Sequence, residues 1–348
     1  MSSMSGAASR RSVSIYRSAG WLGGVTLALL ALGACTGEKA KPEGVAAEKA
    51  MPESTAAEKA KPESTAEAVK QRRFGSPQEA AAALIEAAER FDQPALVEIL
   101  GTEGKPLVLS KDTVMDRNLA VEFAAEARAR HRIRLDSART VATLSVGKTD
   151  WPLPFPIEKE SGTWHFDAEA GAHEILLRRI GRNELDAIDV CRGFVEAQRA
   201  YARTRHDGAV VNQYAQRIVS TPGKRDGLAW RAADGTWEGP VGEGIAQVIA
   251  EGYRDRYEPF HGYYFKILKG QGPAAPLGQM DFVVKGVMIG GFAMVAAPAE
   301  YLVTGVKTFI VSHSGIVYEK DLGPETLDSF RATERYNPDS TWKPVTSH

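Results

Sequence analysis

The sequence is poor in cysteine, in surplus charge and in long apolar runs. Only Cys35 and Cys191 carry thiols among 348 residues, and 43 basic side chains face 44 acidic ones. A formal net charge of −1 offers nothing to draw the chain to a phosphate backbone, so nucleic acid is excluded as a partner. The longest apolar stretch, Trp21 to Ala34, falls short of the ~20 residues a membrane-spanning helix needs. Catalytic signatures are also missing. There is no G-x-S-x-G, and His173-Glu174 has no second histidine at helical spacing. The glycine-rich "GPVGEG" at 239–244 lacks the strand and lysine of a phosphate loop.

What is present begins at the N-terminus. Arg10, Arg11 and Arg17 precede the apolar stretch, and "LALLALGACTGE" breaks abruptly at Cys35 into polar sequence. A basic region, a short apolar core and small residues before a cysteine have the layout of an export signal. Leu32-Gly33-Ala34-Cys35 resembles the bacterial lipobox. The expectation is therefore a signal peptide over residues 1–34 and a lipidated, palmitate-bearing Cys35 as the anchor. Thr36, where aspartate commonly favours inner-membrane retention, points to the periplasmic face of the outer membrane. Several acyl chains on one residue meet the need for more than one lipid in stable anchoring. Cys191 is then the sole remaining thiol and has no disulfide partner within the chain.

Three ten-residue units follow, "EKAKPEGVAA", "EKAMPESTAA" and "EKAKPESTAE", built from alanine, glutamate, lysine and proline without an aromatic. Such a segment cannot bury enough apolar surface to offset its ordering entropy, and Pro42, Pro52 and Pro62 interrupt any helix. Residues 35–72 read as the lipidated cysteine and a disordered tether. As a flexible coil the tether spans about 35 Å.

A folded region is expected over 73–180. Ser76 is a helix N-cap, Pro77 the first helical residue and Glu79 the partner of a capping box. Ala81, Leu84, Ile85 and Ala88 then share a face. Asp92 caps a second helix carrying Leu96, Ile99 and Leu100, and 113–131 reads as a third with Leu119 and Phe123. The period changes to two at Thr140, Ala142, Leu144 and Val146. In "WPLPFPIEKESGTWHFD" (151–167), Trp151, Leu153, Phe155 and Ile157 alternate with Pro152, Pro154 and Pro156. Prolines cannot donate to a ladder, so an edge strand or extended arm is expected. Ser161-Gly162 turns the chain into a last strand. Helices followed by a curved antiparallel sheet resemble a cystatin-like cone, the architecture of nuclear-transport-factor-2-like proteins.

The second region, 181–348, opens on a linking helix within 170–202. Leu185, Ile188, Cys191 and Val195 share one face by their spacing, which makes Cys191 a buried apolar residue rather than a reactive one. Residues 203–240 read as loops, and Ile245, Val248 and Ile249 as a further helix. Strands follow in "GYYFKILKG", "MDFVVKGVMIGGFAMVAAP" and "KTFIVSHSGIVYEKDLG", the last folding into a hairpin about Ser312-His313-Ser314-Gly315. A long helix leading into antiparallel hairpins resembles a pilin-like sheet domain. The fold class expected is thus α+β throughout.

"WPLPFPIEKESGTWHFD", "RRIGRNELDAIDVCRGFVEAQRAYA", "HGYYFKIL" and "TFIVSHSGIVYEKDLG" together resemble the bacterial family called domain-of-unknown-function 2950, over residues 74 to 335 or so. The resemblance implies an exported, often lipid-anchored envelope protein. It implies no activity, cofactor or catalytic residue.

Two clusters are candidates for chemistry. His165, Asp167, Glu169, His173 and Glu174 crowd together, with His165 and Asp167 on one side of a strand. A two-histidine carboxylate metal site is one reading; a polar strand end with acids at a helix start is the preferred one. Arg178, Arg179 and Arg182 stand beside Glu184, Asp186 and Asp189. Arginine forks suit an anion site between domains, while an ion-pair network fastening the linking helix is preferred. Tyr253, Tyr257, Tyr263 and Tyr264 would line a binding face or pack a core edge. No catalytic residue, cofactor or metal is assigned. The expected role is non-catalytic binding or assembly in the envelope. Its expected partners are the membrane, through the anchor, and an envelope protein or glycan. The alternative is an enzyme or small-ligand binder using the N-terminal cone.

Overall fold

The computed structural model describes residues 70–110, 112–241 and 259–346. Cys35, the repeats, the helix expected about Ile245, Val248 and Ile249, and Tyr253 and Tyr257 lie outside the described residues. The described chain forms two compact units, with the division in the sequence between Ile175 and Leu176.

The first unit opens with helix α1 (Pro77–Arg90), whose start is held by side chains. Ser76 Oγ accepts from the Glu79 N–H at 3.2 Å. The Glu79 carboxylate reaches back to the Gly75 N–H at 3.0 Å, one residue beyond the N-cap N–H that a regular capping box uses. The helix closes on Phe91 at φ 51, and Asp92 at once caps α2 (Gln93–Leu100) by accepting from the Ala95 N–H. A single turn, α3 (Lys105–Val108), leads to α4 (Thr113–Ala129), capped by Asp112. The helix ends earlier than the sequence pattern predicts, because a strand starts at His131.

That strand, β1 (His131–Leu135), pairs antiparallel with β2 (Val141–Val146). On the other side of β2 lie β3 (Trp151–Pro152) and β4 (Ile157–Glu160), and β4 pairs with β5 (Thr163–Phe166). The proline-rich stretch is broken in two around Leu153–Pro156: β3 pairs with β2 alone and is an edge segment, as expected, whereas β4 lies inside the sheet between β2 and β5. The ladder resumes where donors are available, as at the Leu153 N–H, which donates to Leu144 O at 2.7 Å. Pro154 is buried rather than outward as alternation predicts. Ser161 and Gly162, at φ 50 and 86, turn β4 into β5, a positive-φ pair suited to a two-residue hairpin. The core joins Ala81, Leu84, Ile85 and Ala88 to Leu96, Ile99, Phe123, Leu144, Phe155, Ile157 and Phe166.

Helix α5 (Ala168–Tyr201) runs from the first unit into the second. In the second unit Ala187, Ile188, Cys191, Phe194 and Val195 are buried against a five-stranded antiparallel sheet. Its order is β17 (Lys343–Pro344), β16 (Val317–Asp321), β15 (Lys307–Ser312), β14 (Ala293–Pro298), β9 (Tyr263–Leu268). Leu185 does not join this face: it is 62% exposed, lying about 120° from the centre of the buried stripe at 3.6 residues per turn.

Residues 203–240 are not all loop. They contain β6 (Arg217–Val219), β7 (Gly227–Arg231) and β8 (Trp237–Glu238), with β6 and β7 parallel. Two further short pairs, β10 (Gly270–Gln271) with β11 (Met280–Asp281) and β12 (Val283–Val284) with β13 (Val287–Met288), lie between β9 and β14 in sequence. The β15–β16 hairpin turns at Gly315, φ 83, whose N–H donates to Ser312 O. A short helix α6 (Thr326–Ala332) follows.

Candidate functional site

Trp164 and Phe166 of β5 are buried, so His165 between them projects to the other face, where the register sets it opposite Glu158 of β4. Its Nδ1 is buried and has no hydrogen-bond partner among the described residues. Nearby, the Arg73 guanidinium bonds Glu160 and holds that carboxyl below its usual range. Asp167 does not face His165 as a second ligand would. Its Oδ1 accepts from the Ala170 N–H at 2.9 Å and its carbonyl from the Gly171 N–H at 3.1 Å, so it serves as the N-cap of α5. His173 is exposed on the early turns of that helix. The two-histidine carboxylate arrangement does not form. Among the described residues no group of three or more His, Cys, Asp or Glu side chains could hold a metal ion.

Arg178, Arg179 and Arg182 fall in the second unit. Arg182 is exposed, while Arg178 and Arg179 are half-buried, with Arg179 Nε sealed from solvent and unbonded among the described residues. The acids beside them go elsewhere. Glu184 Oε1 accepts from the N–H groups of Val306 and Lys307 at 2.9 and 3.0 Å, clamping the start of β15 to α5. Asp186 meets His261 Nδ1 at 2.5 Å, and Asp189 pairs with Arg192. Glu184 and Asp186 fasten the helix through backbone N–H groups and a histidine.

The remaining candidates are equally committed to the fold. Cys191 is fully buried, and burial pushes its thiol up to about 12. Tyr263 is buried and donates to Lys307 O at 2.9 Å. Gly305 leaves room for its ring, since a Cβ there would collide with the phenol. Tyr264 lies tilted against Phe330 of α6, ring centroids 6.4 Å apart. Ser312 and Ser314 share a 3.1 Å hydroxyl contact inside the hairpin. His313 stands edge-on to Phe282 and Phe292 with Nδ1 buried and unbonded. A shallow cavity of about 350 Å³ lies between Ala299, Glu300, Tyr301, Pro324, Thr326 and Leu327. Its hydroxyls are occupied: Tyr301 donates to Asp321 and Thr326 to Gly323 O.

Sequence reasoning overlooked strand β1, because the helical pattern runs on to residue 131. The alternation in "HRIRL" is the signal that would have found it.

The fold defines a two-unit α+β protein: helices on an antiparallel sheet, then a long helix and a second antiparallel sheet. The chain belongs to the family described as "Protein of unknown function (DUF2950)", which matches residues 71–345. No curated protein matches the chain, and neither does any solved structure.

Proposed function

We propose that this protein is a lipid-anchored module on the periplasmic face of the outer membrane, with a non-catalytic binding or assembly role in the envelope. The observation that carries this reading is how the chemistry-bearing side chains are used. Asp167 caps a helix, Glu184 clamps two backbone N–H groups and Cys191 is sealed in the core. The lipobox-like Leu32–Cys35 and the repeats after it supply the anchor and the tether. The order of helices and antiparallel strands supports a cystatin-like cone in the first unit and a pilin-like sheet in the second. Such architectures host binding modules as readily as enzymes, so the role rests on the side chains rather than on the architecture.

The test is metabolic labelling with a palmitate analogue, followed by fractionation and cross-linking in living cells. The wild-type chain should be labelled, sediment with outer membrane and capture an envelope protein reproducibly. Cys35→Ala should lose both label and sedimentation. A wild-type chain that stays unlabelled overturns the anchor.

One observation favours a second reading, a small-ligand site on the outer face of the first sheet. His165 has a buried, unbonded Nδ1 and faces Glu158 across the register, a polar arrangement that costs free energy unless something bonds it. A thermal-shift screen of small molecules and metals on the wild-type chain and His165→Gln decides the matter. A ligand whose stabilisation disappears in the variant supports this reading.

A further inference from the structure

We propose that strand β1 is a docking edge for an acidic, extended peptide segment of another protein, which joins the first sheet as an added strand. This deepens the binding role proposed above and rests on it for its biological setting.

β1 stands last in its sheet, in the order β1-β2-β4-β5. Four of its five residues are exposed, Ile133 alone being half-buried. The hydrogen bonds at its ends show which way its peptide groups point. Gly147 N–H donates to Arg130 O, and Asp136 N–H donates to Val141 O. In an antiparallel ladder such bonds alternate along the strand. Arg130, Arg132, Arg134 and Asp136 therefore address β2, and the N–H and C=O groups of His131, Ile133 and Leu135 face outward. No proline or bulge interrupts this row. An incoming strand would find three consecutive docking residues, with main-chain bonds for affinity and side chains for selection.

The side chains select by charge. Arg128, Arg130, Arg132, Arg134 and Arg139 cluster on and around the edge. Arg128 pairs with Glu89, while Arg130 and Arg132 share the single carboxylate of Asp150. Among the described residues no carboxylate pairs with Arg134 or Arg139. Asp136, the one acid in the turn, spends its carboxylate on the N–H groups of Val141 and Thr140. The edge thus carries surplus positive charge in a chain whose total is slightly negative. Charges on an edge strand commonly guard it against pairing. Here they discriminate instead. A second copy of β1 would bring arginine against arginine, whereas a strand bearing glutamate or aspartate would be drawn in.

The test uses the full chain and backbone-amide hydrogen exchange read by mass spectrometry. The probe is a short peptide of alternating glutamate and valine, and the control has lysine for glutamate. The acidic peptide should slow exchange across 131–135, weaken with salt and leave the second unit unchanged. Arg132→Glu combined with Arg134→Glu should weaken binding at least about tenfold. Leu135→Pro deletes an outward N–H without touching the β2 ladder. It should abolish the added protection while its melting curve reports an intact fold. Equal binding of the lysine peptide, or no protection at β1, overturns the proposal and leaves β1 a guarded edge. Cross-linked envelope partners that persist in the double arginine variant would count against this edge while sparing the broader binding role. Peptide protection without any envelope partner would do the reverse.

Discussion

Cys191 shows what burial does to a reactive side chain. The thiol lies fully inside the second core, and loss of solvation raises its pKa from 9.0 to about 12. The folded state therefore keeps a proton that the unfolded chain releases above pH 9 or so. The resulting stability is fully present below the unfolded value and drains away as the pH climbs through the folded one. Alkaline unfolding should accordingly be steeper for the wild-type chain than for Cys191→Ala, measured as denaturant midpoint against pH. A thiol reagent should label Cys191 only on global unfolding; fast labelling of the native chain would contradict its burial. Asp167 illustrates the same economy. Its position two residues from His165 allows a ligand pair, but the preferred reading is an acid at a helix start, and the carboxylate is indeed turned to the first turn of α5, where free backbone donors and the helix dipole favour an anion.

The elements show how local sequence and tertiary packing divide the work. Gly171 sits inside α5, where glycine costs about 1 kcal/mol relative to alanine, and the reason lies across the core. A Cβ at that position would run into the Phe155 ring of the proline-broken segment. Gly171→Ala should therefore destabilise the first unit by roughly 1–3 kcal/mol despite the gain in helix propensity. A double-mutant cycle with Phe155→Leu should show clear coupling; additive effects would mean that the contact does not constrain the helix. Features set within a few residues were legible in the sequence. The Ser76 and Asp92 caps, the buried stripe of α1 and the Ser161-Gly162 and Gly315 turns depend on neighbours in the chain. Features set by distant partners were not. The prolines at 152, 154 and 156 exclude a continuous ladder, but only the arrival of β5 decides that the β4 half is interior while β3 stays an edge. β1 follows α4 with Arg130 alone between them, so no glycine or proline marks the change of period. The sheet at 217–238 consists of strands of three, five and two residues, too short for alternation to stand out. As to the site, side-chain types and their crowding were visible at 165–182. Where each one points was not, since Glu184 finds its partners more than 120 residues away.

At the scale of the whole molecule, the described residues build two apolar cores with no residue in common. One gathers Leu84, Ile99, Leu144 and Phe166; the other gathers Phe194, Phe265, Phe292 and Phe309. Each is large enough to pack its own sheet, and α5 contributes its long apolar stripe to the second. Stability should then be a property of each unit rather than one shared quantity, as is common when domains carry separate cores. Leu144→Ala empties a fully buried site in the first core and should cost about 2–5 kcal/mol there; Phe309→Ala should cost about 3–5 kcal/mol in the second. Calorimetry of the two variants distinguishes separate units from one cooperative body. If each lesion shifts a different part of the melting profile, the cores unfold independently, and partner binding at the β1 edge should raise only the transition that Leu144→Ala lowers. If both lesions shift one common transition, α5 couples the units energetically, and a ligand on either unit would stabilise the whole chain.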